Sequence, residues 1–145
     1  MSDAHDLKRF VDAQVGVYAN VVTELKQGRK RSHWMWFIFP QAAGLGFSAM
    51  AERFAIQSRA EAKAYLAHGT LGPRLIECTR LVLDVEGKSI HDILGSPDDL
   101  KFRSSMTLFG SVSNDPIFDQ AIAKYYRDGK DPATLDILAR LDRHG

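Results

Sequence analysis

Several features that assign a protein to a class are scarce or absent in this sequence of 145 residues. It has one cysteine, Cys78, so no disulfide can form within the chain, which fits a reducing compartment. The longest strongly apolar run, from Trp34 to Phe39, is far shorter than the roughly 20 residues that cross a bilayer. The opening segment MSDAHDLKRF lacks the apolar core of a signal peptide. We therefore expect a cytoplasmic protein that does not enter a membrane, with a buried and inert Cys78.

Strong charge imbalance and metal-binding patterns are also missing. Lys and Arg number 19 against 18 Asp and Glu, and this balance disfavours binding to nucleic acid. The five histidines show neither the HxxxH nor the HExxH spacing of metal sites, and a single cysteine cannot form a CxxC pair. Gly44 and Gly46 form a lone GxG without the strand-loop-helix context of a Rossmann or P-loop site. The sequence thus predicts no metal or cofactor, and any anion must be bound by a local cluster of basic residues.

Signals that begin and end helices dominate the rest of the chain. Ser2 or Asp3 can begin a first helix that continues to Gly28. One Ser-Pro pair and two Asp-Pro pairs begin three later helices. The 45% hydrophobic content is typical of one globular domain, here residues 1–145. We predict a compact, mainly α single-domain bundle of about seven helices, with an α+β fold as the alternative if a small strand pair forms.

The most unusual stretch is SHWMWFIFPQAAGLG, which runs from Ser32 to Gly46. It contains both tryptophans, shows no helical period and reaches Pro40, so we expect a short, buried extended segment. In an extended segment Trp34 and Trp36 share one face. That face can stack on a flat ligand, or it can pack in the core.

Basic and polar residues precede the aromatic run. Arg31 follows Arg29 and Lys30 at the end of the first predicted helix, where cations either complement the helix dipole or clamp a phosphate. His33, next to Ser32, can donate to a phosphate or act as a general acid or base, or it can be structural. These residues are candidate ligand contacts.

A second polar group lies in the predicted helix DDLKFRSSMTLFG. Asp98 and Asp99 fall in its first turn, where acidic residues commonly complement the dipole. Ser104 and Ser105 are poor helix formers in its middle, so they face either a pocket or solvent. Lys101 can contact a phosphate, or act as a nucleophilic amine if it is desolvated.

Three segments carry a family resemblance. SHWMWFIFPQAAGLG, EAKAYLAHGTLGPRL and DDLKFRSSMTLFG occur in the order found in a bacterial family of unknown function, whose members are sometimes labelled calpastatin. The resemblance covers roughly Leu7 to Leu141. More distantly, the chain is similar to the YbiA-like or NADAR superfamily, whose characterised members are N-glycosidases acting on ribosylated heterocycles. This resemblance implies a YbiA-like fold and a nucleotide-like ligand, either ADP-ribosyl or ribose-phosphate.

The chain departs from that superfamily at its acidic residues. The Glu-His pair of the superfamily aligns with Ser32-His33, and the late Glu beside a Trp-Gly has no counterpart here. Asp98 or Asp99 can replace the missing acid. The expected catalytic residues are Lys101, Asp98, Asp99 and His33. The expected ligand-binding residues are Arg31, Ser32, Trp34, Trp36, Ser104 and Ser105.

Two functions follow from these observations. The first is binding of a nucleotide-like small molecule, with N-glycosidase chemistry as its enzymatic form. The second is a small helical protein-interaction module without catalysis, whose aromatic segment docks a partner. The second requires Trp34 or Trp36 to be substantially exposed, because exposed contiguous aromatics mark such surfaces.

Overall fold

The fold consists of helices joined by short loops. The computed structural model describes residues 3–144, without the side chains of 143 and 144, and contains ten helices in that range. In chain order they are α1 (Lys8–Gln14), α2 (Tyr18–Lys26), α3 (Met35–Ile38), α4 (Ala49–Arg53), α5 (Arg59–Ala67), α6 (Leu71–Leu83), α7 (Ile90–Leu94), α8 (Asp98–Gly110), α9 (Ile117–Tyr125) and α10 (Pro132–His144). The prediction of a mainly α fold is therefore confirmed, whereas the predicted number of about seven helices is too low.

The predicted strand pair is reduced to one isolated parallel bridge between Ala42 and Ile56, and residues 3–144 form no strand. The Ala43 N–H donates to the Ile56 carbonyl at 2.9 Å, and the Ile56 N–H donates to the Gln41 carbonyl at 2.8 Å. This bridge joins the loop after α3 to the segment between α4 and α5.

The first predicted helix is divided into α1 and α2. Gly16 lies between them with φ +77°, a left-handed conformation that a residue without Cβ adopts readily. Phe10 and Val21, on either side of the break, are both fully buried, so the apolar pattern continues across it. The N-cap of α1 is Leu7 rather than the predicted Ser2 or Asp3, although the Asp3 carboxylate accepts the N–H groups of Leu7 and Lys8 at 2.8 Å. Ser2 lies outside the described residues.

The prediction that the aromatic segment is extended is wrong, because this segment contains helix α3. The Ile38 N–H donates to the Trp34 carbonyl at 3.2 Å and the Phe39 N–H to the Met35 carbonyl at 3.1 Å, which are helical bonds. Met35, Phe37 and Ile38 are all 7% exposed or less. A helix buried on nearly every side has no polar face, so its sequence carries no helical period.

Helix α8 lies at the centre of the molecule. Seven of its residues are buried, and it packs against α5, α7, α9 and α10.

Ser58 caps α5 as its Oγ accepts the Glu61 N–H at 3.0 Å, and Ser89 and Asp92 form a capping box on α7. Cys78 is fully buried as predicted, and burial raises the pKa of its thiol to about 12. Within residues 3–144, no helix has the length and apolar character to cross a bilayer.

Candidate functional site at the start of helix α8

The aromatic segment and the start of α8 lie in contact. Lys30 Nζ is 2.8 Å from Asp98 Oδ2, and these two side chains are 8% and 18% exposed. Asp98 Oδ1 lies 3.7 Å from Lys101 Nζ. Phe39 packs edge-on against Phe102 with ring centroids 4.9 Å apart. Two ammonium groups thus share one carboxylate, which leaves this group of three side chains with a net positive charge.

Each ammonium group also lies over an indole ring. Lys30 Nζ is 5.2 Å from the ring centroid of Trp34, and Lys101 Nζ is 5.1 Å from that of Trp36. Such contacts are attractive because the ring face is electronegative. Trp34 is only 2% exposed and Trp36 is partly exposed. The two tryptophans therefore do not form the shared open face that an extended segment would have given, and Trp34 is closed to a ligand.

Glu24, which the sequence patterns did not single out, organises the chain before Trp34. Its Oε1 accepts the backbone N–H of Arg31 at 2.6 Å, that of Ser32 at 3.0 Å and the indole N–H of Trp34 at 3.0 Å. The Ser32 hydroxyl donates to its Oε2 at 2.5 Å. Burial raises the pKa of Glu24, but these hydrogen bonds lower it by more, to about 2 from an ordinary 4.5.

Arg31, Ser32 and His33 lie on the surface. The Ser32 hydroxyl is engaged by Glu24, as described above. None of the three belongs to the described lining of the pocket that contains Lys101. The structure thus brings Lys101 and Trp36 together, and it leaves His33 and the Arg31 side chain at a separate exposed position.

Lys101 lines a surface pocket of about 380 Å³. This volume falls within the range of roughly 300–1,000 Å³ that is typical of small-molecule sites. The pocket is formed by the loop before α4, the first turn of α8 and the start of α10. Its lining comprises Gln41, Leu45, Gly46, Phe47, Ser48, Ala51, Pro97, Leu100, Lys101, Ser104, Asp131 and Ala133.

Asp131 is the carboxylate in this pocket, and the sequence indicated it only as a helix start. Its Oδ2 accepts the hydroxyl of Ser104 at 2.9 Å, and the hydroxyl and N–H of Thr134 at 2.5 and 3.2 Å. Thr107 Oγ1 accepts the Asp131 N–H at 3.0 Å. Within residues 3–144 all the hydrogen bonds to this carboxylate fall on Oδ2, which leaves Oδ1 without a protein donor.

The polar residues in the middle of α8 mainly connect this helix to the neighbouring parts of the chain. Ser104 and Ser105 are 6% and 0% exposed, so neither faces solvent. Ser104 reaches the pocket, whereas the buried Ser105 hydroxyl has no hydrogen-bond partner among the described residues. Asp99 turns towards His91, with its Oδ2 3.4 Å from Nδ1, and it is not part of the pocket lining described here.

Two other features of the surface bear on the choice of site. A groove of about 650 Å³ between α5 and α6 is lined mainly by apolar residues and by the exposed Glu77, Arg80 and Asp84. In the part of the chain that the structure describes, no group of three or more His, Cys, Asp or Glu side chains could hold a metal ion. The pocket with Lys101, Ser104 and Asp131 has the more varied chemistry.

Comparison with known proteins identifies the family. Residues 4–138 match the profile of a family described as "protein of unknown function (DUF1810)". The chain belongs to this family. The match covers nearly the whole length, which agrees with the bacterial family of unknown function expected from the three sequence segments.

A relative of known structure has the same fold as this chain. The chain is similar to the conserved hypothetical protein Rv1873 from Mycobacterium tuberculosis, with 56% sequence identity and a TM-score of 0.93. The alignment covers 94% of this chain and 99% of that one. No curated protein matches the chain significantly.

Proposed function

We propose that the pocket at the start of α8 binds a nucleotide-like ligand, such as a ribose phosphate or an ADP-ribosyl compound, whose anionic group contacts Lys101. One observation carries the proposal. The Lys101 ammonium lines a pocket of ligand size, and its carboxylate neighbour Asp98 is 3.7 Å away and closer to Lys30, at 2.8 Å. Asp98 therefore balances the charge of Lys101 only in part, which favours an anion in contact with the Lys101 ammonium, while Asp131 places one negative charge elsewhere in the same lining.

The helix ends around the pocket support an anionic ligand. Helices α8 and α10 have 13 residues each, and both begin at the pocket. The N-terminal end of a helix carries a partial positive charge, which favours phosphate and carboxylate groups. Because Asp98 and Asp99 already complement the start of α8, and Asp131 caps α10, the Lys101 ammonium in the first turn of α8 is the main attraction for the anionic group.

The resemblance to the YbiA-like superfamily extends the proposal to N-glycosidase chemistry. In that reaction the C–N bond between ribose and heterocycle breaks, water supplies a hydroxyl group to the ribose carbon, and the departing heterocycle takes up a proton. A carboxylate stabilises the oxocarbenium-like ribose or activates the water. Asp131 lines the pocket and fits this role better than Asp98, which is paired with lysine, or Asp99, which turns away. Lys101 holds the phosphate or stabilises the ribose.

The alternative, a protein-interaction module, is favoured by a different observation. Phe47 and Leu100 are 83% and 59% exposed, and both lie at the same pocket. Contiguous apolar side chains can dock a partner protein. This alternative first required Trp34 or Trp36 to be substantially exposed, but Trp34 is buried and Trp36 is only partly exposed. The two functions differ in one respect that can be measured, because only the first predicts stabilisation of the isolated protein by a small anionic ligand.

The test is ligand-induced thermal stabilisation of wild type, Lys101→Met and Lys63→Met with ribose 5-phosphate and ADP-ribose. At about 100 times its dissociation constant, a ligand adds about 2.7 kcal/mol to the unfolding free energy, or a few degrees in Tm. We expect this shift in wild type and in Lys63→Met, because Lys63 is exposed on α5 and outside the described pocket lining. Lys101→Met keeps the apolar stem but lacks the charge, so its affinity is expected to fall about 10- to 100-fold.

Two results would contradict the proposal. One is the absence of any shift in wild type with either ligand, which would favour the interaction module. The other is an unchanged affinity in Lys101→Met, which would place the ligand elsewhere. Release of free base from a ribosylated heterocycle, lost in Asp131→Asn but retained in Glu86→Gln, tests the enzymatic form separately.

A further inference from the structure

The aromatic ring that the pocket offers to a ligand belongs to Phe47 rather than to a tryptophan. Phe47 is 83% exposed, the highest value among the large hydrophobic residues that are exposed in the described chain. Four such residues are exposed, namely Val15, Phe47, Leu100 and Leu135. Two of them, Phe47 and Leu100, line the pocket that also contains Lys101. Large apolar side chains are therefore concentrated beside the proposed anion site.

The backbone on both sides of Phe47 is held in place. Ser48 caps α4, and its Oγ accepts the Ala51 N–H at 3.1 Å. Gly46 lies so close to the same helix turn that a Cβ at this position would be 2.7 Å from the Ala51 Cβ. The residue before Phe47 therefore lies close to α4, and the residue after it caps that helix. The ring itself stays outside the core.

Phe47 also lacks the intrahelical partner that a residue at this position commonly has. It precedes the N-cap Ser48, where an apolar side chain often packs against the fourth residue of the helix in a hydrophobic staple. Here the fourth residue is Glu52, which is exposed and charged. The helix therefore gives the Phe47 ring no apolar partner, and a ligand in the pocket can supply one.

We infer that Phe47 stacks on a planar heteroaromatic ring of the ligand while Lys101 binds the anionic group at the other end of the same molecule. This inference rests on the proposed function and specifies its substrate class: the ligand carries a base or a similar flat ring, and a sugar phosphate alone does not fill the site. Stacking suits this position, because an aromatic face accepts any flat ring without desolvating buried polar groups. Phe47 is thus a specificity-determining residue.

The test compares AMP, which carries adenine at C1′, with ribose 5-phosphate, which carries a hydroxyl group there, by calorimetric titration. In wild type we expect AMP to bind about tenfold or more tighter than ribose 5-phosphate. Phe47→Ala is expected to weaken AMP binding about tenfold and to leave ribose 5-phosphate binding within about twofold. Phe47→Trp retains a ring face and should retain AMP affinity. Val15→Ala is the matched control, since Val15 is 72% exposed and outside the described pocket lining.

The outcomes separate this inference from the proposed function. If both ligands bind and depend on Lys101, but Phe47→Ala weakens both equally or neither, the stacking role is wrong and the anion site stands. If neither ligand binds wild type, the proposed function fails and the inference fails with it. Because the Phe47 ring is mostly in solvent, its truncation should leave the fold intact, which circular dichroism and Tm can verify.

Discussion

Among single residues, those that organise the pocket and the segment before Trp34 act through contacts with distant positions in the chain. Lys101 was identified from its residue type and its place on α8, and the structure places it at the pocket. Glu24 looked like an ordinary residue near the end of a helix, yet its carboxylate accepts four hydrogen bonds from the chain at 31–34. Asp131 looked like a helix cap, and it is also the carboxylate of the pocket. Long-range contacts of this kind leave no local pattern in a sequence.

The hydrogen bonds to Glu24 should make this residue important for stability. Glu24→Gln keeps the size of the side chain but removes the charge and turns an amide NH₂ towards N–H donors. We expect it to lower the unfolding free energy by about 2 kcal/mol at neutral pH. Glu86→Gln, at an exposed position, should change it by less than about 0.5 kcal/mol. Urea unfolding of the three proteins measures both differences.

The pH dependence of that difference follows from the lowered pKa of Glu24. The pKa is about 2 in the folded protein against an ordinary 4.5. The ionised carboxylate therefore contributes its full stabilisation above pH 4.5, and this contribution is lost as the pH falls from 4.5 towards 2. The gap in stability between wild type and Glu24→Gln should narrow over that range. A gap that stays constant on acidification would contradict the hydrogen-bonded, ionised state of Glu24.

At the level of elements, the sequence predicts helices well where a serine cap or an Xaa-Pro pair marks the first turn. Helices α8, α9 and α10 follow the Ser-Pro and Asp-Pro pairs, and Ser48 and Ser58 cap α4 and α5. The two wrong predictions, a single first helix and an extended aromatic segment, have physical causes. Gly16 divides one helix without interrupting the apolar pattern, and α3 is buried on nearly every side, so its residues show no period. A propensity-based rule for aromatic residues then favours a strand that the tertiary packing overrides.

The second stability prediction concerns the contact between α5 and α6. Gly72 lies on α6 where a Cβ would be 2.0 Å from the Leu66 carbonyl oxygen. In a helix, Gly→Ala ordinarily stabilises by about 1 kcal/mol. Here we expect the opposite: Gly72→Ala should lower the unfolding free energy by about 1–3 kcal/mol, because the backbone of α5 must move away. Chemical unfolding measures the change.

The control for this substitution lies three residues earlier in the same loop-helix region. A Cβ on Gly69 would meet nothing within 4 Å, so Gly69→Ala should be close to neutral. A stabilised Gly72→Ala would mean that α5 and α6 are not in such close contact. Equal destabilisation by both substitutions would instead indicate a general effect of replacing glycine in this segment.

At the scale of the whole molecule, the pocket is assembled from three parts of the chain that are far apart in sequence: the loop before α4, the start of α8 and the start of α10. The sequence supplied candidate residues on one of these parts, DDLKFRSSMT, and a resemblance that suggested the ligand class. It could not show that Phe47 and Asp131 join Lys101, because their proximity depends on how α4, α8 and α10 pack. It also suggested ligand contacts at Arg31, Ser32 and His33, which lie outside the described pocket lining.

Whether the pocket at the start of α8 binds a phosphate can be measured by mapping the amide chemical shifts of the ¹⁵N-labelled protein during titration with ribose 5-phosphate. We expect saturable shifts that are largest for Lys101, Ser104 and Ala133 and for the loop before α4, all around one pocket. Shifts centred on the groove between α5 and α6, or no saturable shifts at all, would contradict a phosphate-binding site at the start of α8.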